Sequence, residues 1–199
     1  MAKLMNSQDF QAKLRAKSLI LFTPLDIRRI FGVSKISVTF LLHRYAKKGI
    51  VVRLKRGLYS LAEIKVPDFY LANKLYEPSY ISLEFALSYH RVIPENVYQI
   101  TSVTTKATRR FEAQGKQFIY RRMKKDAFTG YATVQQRSAS FLIADPEKSF
   151  VDANYFRLLE RRKPLSRFDK EKINRTKALR YSKLFKNERL NAIIATTLQ

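Results

Sequence analysis

Ten side chains between Ser34 and Arg56 have the types and spacing to hold a polyanion. Ser34, Lys35, Ser37, Thr39, Phe40, Arg44 and Lys47 share one helical-period stretch, and Arg53, Lys55 and Arg56 follow it closely. Arginine can pair bidentately with guanine, serine and threonine can bond to base edges, and phenylalanine can touch a thymine methyl. Lysine and arginine also hold phosphate, which sets position without reading sequence. A helix beginning at Ser34 would add its own N-terminus as a phosphate neighbour. The chemistry is recognition of nucleic acid, with Arg53, Lys55 and Arg56 on backbone phosphate or in a minor groove. The competing reading is a solvated polar face with Phe40 in the core, plus cations that only guard a strand edge.

The elements that must position these groups are legible around them. Ser7 is placed to cap a first helix to about Ala16, with Phe10 and Leu14 on one face. Thr23-Pro24-Leu25-Asp26 opens a second helix with a capping residue and proline at its first position. Gly32 permits the turn, and Ser34 caps a third helix whose core stripe is Val38, Leu41, Leu42 and Tyr45. Gly49 stops that helix, and Ile50 to Leu61 reads as a hairpin turning at Gly57. Helix followed by basic hairpin is the arrangement of a winged helix, in which the helix fills the major groove and the hairpin follows the backbone.

Composition agrees with a polyanionic partner. The 199 residues hold 39 Lys+Arg against 16 Asp+Glu, a formal +23. Residues 1–62 carry a net +11, residues 63–160 only +3, and residues 161–199 a net +9, so charge gathers at both ends. Solubility needs far less than this. Forty-six per cent hydrophobic residues, including 14 Phe and 11 Tyr, suffice for real cores. The absence of cysteine excludes disulfides, thiolate metal sites and a cysteine nucleophile. No apolar run approaches membrane-spanning length, and Lys3, Asp9, Lys13 and Arg15 interrupt any signal-peptide pattern. The expectation is therefore a cytoplasmic protein with no membrane contact.

Pro67 and Asp68 mark a boundary, followed by a helix through Tyr76 and a second, capped by Ser82, with Leu83, Ala86 and Leu87 apolar. Beyond Pro94 alternation suggests strands at Val97–Ile100, Gln117–Arg122, Phe128–Gln136 and Ser140–Ile143. Asp145-Pro146-Glu147 starts another helix, bearing Phe150, Val151, Tyr155, Phe156 and Leu159. After Pro164 the chain reads as helical and basic, from Arg161-Arg162-Lys163 through Lys186. The basic stretch either extends the nucleic-acid footprint, holds an acidic partner or is solvated. His43 and His90 lack metal-ligand spacing, and His90 fits a hydrogen-bonding role near a helix end. Tyr80, Tyr89, Tyr98 and Tyr120 could stack bases but sit where core is the commoner fate.

Together these segments resemble the AbiEi family, abortive-infection antitoxins of type IV toxin–antitoxin systems that double as transcriptional repressors. The resemblance rests on Arg56-Gly57-Leu58-Tyr59 in the hairpin and on Tyr80-Ile81-Ser82 with Ala86-Leu87 and His90. It rests also on Phe118-Ile119-Tyr120-Arg121 and on Asp145-Pro146-Glu147-Lys148-Ser149-Phe150-Val151-Asp152. Arg91 departs from it, standing where glycine usually follows the histidine. The resemblance implies a winged helix that binds inverted repeats of double-stranded DNA upstream of its own operon. It also implies a C-terminal domain that opposes a nucleotidyltransferase toxin through the toxin's targets rather than in a stable complex.

The expected fold class is α+β. A winged helix-turn-helix would occupy 1–62, an α+β antitoxin-like domain with a small antiparallel sheet 63–160, and a basic helical tail, packed on or extending that domain, 161–199. No catalytic residue, cofactor or metal is expected. Asp145, Glu147 and Lys148 superficially match the acidic and lysine sets of metal-dependent nucleases, but they begin a helix after a proline, where capping and the helix dipole account for the acids. The rival readings are a general basic nucleic-acid binder, an orphan winged-helix regulator with no toxin, and, behind both, a nuclease.

Overall fold

The computed structural model describes residues 6–136 and 139–199 and is α+β, divided into two compact units, Met1–Pro67 and Asp68–Gln199. In the first unit lie α1 (Ser7–Ala16), α2 (Pro24–Phe31), α3 (Lys35–Lys47) and a hairpin of β1 (Val51–Lys55) and β2 (Leu58–Leu61). Phe10, Leu14, Phe22, Ile27, Val38, Leu41, Leu42, Tyr45, Val51 and Leu61 form its core. The expected stripe of α3 is buried in full. One cap differs: the Asn6 side chain accepts from Gln8 N–H, so α1 is capped one residue earlier than Ser7. Asparagine and serine are equivalent caps, and sequence alone ranks neither above the other.

The second unit holds α4 (Asp68–Leu75), β3 (Ser79–Ile81), α5 (Leu83–Tyr89), β4 (Ile100–Thr104), β5 (Arg109–Ala113), β6 (Lys116–Arg122), β7 (Tyr131–Gln136) and β8 (Ala139–Ala144). It continues with α6 (Pro146–Leu159), α7 (Arg175–Lys183) and α8 (Glu188–Thr197). Its strands make one six-stranded sheet in the order β5-β6-β4-β3-β8-β7. The expected small antiparallel sheet is thereby corrected, because the sheet is mixed: β3 runs parallel to β8 and β4 parallel to β6. Parallel pairs join segments far apart in sequence, which local alternation cannot announce. Two strand assignments move as well. Val97–Gln99 lie outside the sheet, β4 begins only at Ile100, and Phe128 closes a short 3₁₀ turn ahead of β7. The short strands β3 and β5 carry too few residues to show a period.

α4 covers one face of this sheet, where Tyr120 donates its hydroxyl to the Ala72 carbonyl and Phe69 meets Phe141. On the opposite face α6, α7 and α8 bury Val103, Phe150, Phe156, Ala178, Phe185, Leu190 and Ile194 in a common core. The apolar residues beyond Pro164 are therefore integral to this core. At its centre Lys148 and Asp152, one turn apart on α6, form a fully buried ion pair. The Asp152 carboxylate also accepts from the hydroxyls of Tyr80 at 3.0 Å and Ser82 at 2.8 Å. Ser82 thus stands at the α5 cap position but spends its hydroxyl on Asp152, not on the helix. Burial pushes the Asp152 carboxyl above its usual range and the Lys148 ammonium below its own.

Candidate nucleic-acid interface

The turn into α3 is built from local chemistry. Thr23 and Asp26 cap α2 reciprocally, each side chain meeting the other's backbone N–H, at 3.3 and 2.8 Å. Gly32 ends α2 in the left-handed region at φ +64°. Ser34 then accepts from the Ser37 N–H at 3.1 Å and starts α3. Phe10, against Phe31 and Tyr45, fills the space behind both helices, so the outward face of α3 is held from within.

The hairpin is fixed at three points. The Arg56-Gly57 turn uses a left-handed φ of +81° at Gly57, which glycine adopts without a steric penalty. The register slips between Arg53 and Lys55, placing a bulge next to the tip. Phe22 bonds Tyr59 in both directions, each N–H donating at 2.9 Å, so the α1–α2 linker adds a short third rung to the hairpin.

Most of the expected site residues face water. Lys35, Ser37, Thr39, Phe40 and Lys47 are exposed on α3, as is Ser34 at its cap. Phe40 is 70% exposed, which removes the alternative of a core phenylalanine. Arg44 is half-buried beside the ring of Tyr45, at 5.5 Å. Thr39 donates its hydroxyl to the Lys35 carbonyl at 3.0 Å, and the Ser34 and Ser37 hydroxyls bond each other at 2.9 Å. Arg53 and Arg56 are exposed on the hairpin, while Lys55 is half-buried. Ile36, 69% exposed beside Phe40, stands outside the set expected from sequence; its signal there is the i, i+4 spacing to Phe40.

Electrostatically the stretch that bears these residues is one-signed. No Asp or Glu occurs from Ile27 to Ala62, and the flanking acids are occupied. Asp26 is held in the α2 cap, and Glu63 accepts two hydrogen bonds from Arg15 at 2.7 Å. Those bonds hold the Glu63 carboxylate below its usual range. The exposed cations Lys35, Lys47, Arg53 and Arg56 can therefore meet an external anion.

Residues 9–62 match the family model of a transcriptional regulator, AbiEi antitoxin. The matched stretch runs from α1 to the end of β2 and contains every candidate contact residue. The segments at Tyr80–His90, Phe118–Arg121 and Asp145–Asp152 lie beyond the match. No curated protein matches the chain. Among the described residues no helix is long and apolar enough to cross a membrane.

The remaining candidates have structural occupations. Asp145 caps α6 through the Lys148 N–H at 2.7 Å, accepts from the Tyr181 hydroxyl at 2.7 Å and pairs with Lys177. Burial, reinforced by that carboxylate, pushes the Tyr181 phenol up to about 12. Glu147 accepts from the Asn174 N–H at 3.0 Å and pairs with Lys177 at 2.9 Å. His90 ends α5 and donates Nε2–H to the Ala144 carbonyl at 2.8 Å. Tyr80 and Tyr120 are core, whereas Tyr98 is largely exposed.

Proposed function

We propose that this protein is a DNA-binding transcriptional repressor and antitoxin of the AbiEi type, acting without catalysis, cofactor or resident metal. Residues 1–62 act as a winged helix-turn-helix on double-stranded DNA. α3 reads the operator through Lys35, Ser37, Thr39, Phe40 and Arg44, with Ser34 and Lys47 near phosphate. The hairpin clamps the backbone through Arg53, Lys55 and Arg56. Its sites are repeats upstream of its own operon, and its cytoplasmic role is to oppose a nucleotidyltransferase toxin through that toxin's targets, without a stable complex.

The observation that carries this reading is the exposed, cation-bearing face of α3 beside a basic hairpin, in 36 consecutive residues with no acid. A partner that approaches it must be anionic. The family match over the same residues supports the regulator reading.

The decisive experiment measures binding of the purified protein to its own upstream DNA and to a shuffled duplex across a salt series. A preference that survives physiological salt and falls by tenfold or more on Arg44→Ala supports sequence reading by α3, since a bidentate pair contributes about 1–3 kcal/mol. Equal and steeply salt-sensitive binding to both duplexes overturns the repressor and leaves a general polyanion binder.

A further inference from the structure

On a helix that enters a major groove, specificity comes from whatever side chains stand free to meet base edges. On and at the cap of α3 several of the polar ones already hold a partner within the protein. The Thr39 hydroxyl is spent on the Lys35 carbonyl, Ser34 and Ser37 bond each other, and Arg44 lies half-buried beside Tyr45. Beside the exposed polar groups stand two apolar ones that are equally out of the core. Ile36 and Phe40, 69% and 70% exposed, stand one turn apart on the same stripe of the helix.

In the major groove of DNA the apolar feature of a base edge is the C5 methyl of thymine. From this we infer that α3 also reads its site through thymine methyls, with Ile36 and Phe40 as specificity-determining residues alongside Arg44. The inference rests on the winged-helix reading above and adds to it the chemical class of base that is read. Side chains at i and i+4 lie about 5–6 Å apart. Successive bases on a strand are separated by about 3.4 Å along the axis. The two methyls therefore sit about two steps apart.

The charge around the pair selects the occupant. Lys35, Lys47, Arg53 and Arg56 are exposed in the same unit, and no acid interrupts residues 27–62. A second copy of this chain docking on the pair would bring like charges together in a self-symmetric contact. A duplex offers methyls to the apolar pair and phosphates to the cations at once.

The test starts from the full chain and a pool of random duplexes, from which the preferred site is selected. Thymines in that site are then replaced by deoxyuridine, which removes the methyl and keeps the base pair. The expected result is a site with thymines about two steps apart, in which each critical replacement weakens binding about three- to fivefold, the worth of one buried methyl. In the Ile36→Ser or Phe40→Ser protein the corresponding replacement becomes neutral, which a double-mutant cycle reads directly. Both side chains are exposed, so the substitutions leave the core intact. A preferred site that tolerates deoxyuridine throughout overturns this inference and leaves the winged-helix reading standing. A pool that yields no preferred site overturns both.

Discussion

Lys148 shows how a single side chain can look functional in sequence and prove structural in place. With Asp145 and Glu147 it imitates a nuclease set, yet its ammonium is buried against Asp152 inside the second unit. Removing one partner of such a pair strands the other charge, so Lys148→Met is expected to cost about 3–5 kcal/mol at neutral pH. The pH dependence has a definite sign. Burial already holds the folded-state Asp152 carboxyl above its unfolded value, and loss of the ammonium raises it further. Between those two values the folded state binds more protons, so stability falls as pH rises through that window. Urea melts of Lys148→Met should therefore show a smaller penalty at pH 5 than at pH 8, and Asp152→Asn in the same chain should recover part of the loss. An equal penalty at both pH values would remove burial as the cause. Arg91 is a second instance. It stands where the family resemblance has glycine, and its backbone is left-handed, at φ +57°, just past the end of α5. Arg91→Gly is expected to stabilise the protein by about 0.5–1 kcal/mol, visible as a raised denaturation midpoint.

At the scale of elements, the approach of α7 to the start of β7 depends on one missing side chain. A Cβ at Gly130 would lie 2.8 Å from the Tyr181 ring and 2.9 Å from Lys148 Cγ, and the residue sits at φ +77°. Gly130→Ala thus combines a steric clash with left-handed strain, and a loss of about 2–4 kcal/mol is expected. The same change should disturb the Tyr181–Asp145 hydrogen bond, observable as a lowered phenol titration from about 12. The hairpin of the first unit gives the contrasting case. A methyl added at Gly57 would meet nothing within 4 Å, so only the left-handed φ of +81° resists substitution there. Fold and candidate site were unequally legible at this scale. The caps of α2, α3 and α6, the buried stripe of α3 and the hairpin turn are all short-range patterns, and the structure keeps them where residue types and spacing put them. The strands β3 and β5 and most of β4 escaped because three to five residues carry no period of their own, and β3 and β4 also pair with segments distant in sequence.

For the whole molecule, the net charge of +23 makes ionic strength the sensitive variable. If the exposed cations of α3 and the hairpin contact phosphate, the log–log slope of affinity against salt should be about −4 or steeper, with about 0.9 contributed by each phosphate. Arg53→Ala and Arg56→Ala should each make the slope shallower by about one and weaken all duplexes alike. Phe40→Ser, by contrast, should leave the slope unchanged, because it removes no charge. Titrations at several salt concentrations separate the two kinds of residue. The same measurement on variants of Arg175, Arg180 and Lys183, exposed on α7, tells whether the second unit shares the phosphate contacts: a slope made shallower by these changes means that it does.

Sequence by itself determined what depends on neighbours along the chain: the basic balance, the three N-terminal helices with the caps of the second and third, the glycine turn of the hairpin and the cations at its tip. Hydrogen bonding and helical periodicity act over about four residues, so residue types and spacing suffice to announce them. Tertiary structure decided the rest. Only packing shows that Phe40 and Ile36 face outward while Arg44 lies against Tyr45, since helical spacing alone allowed either face for Phe40. Only packing draws the two parallel strand pairs together and buries Lys148 with Asp152. Those outcomes arise from competition among all surfaces for burial, a property of the folded whole that no local stretch contains.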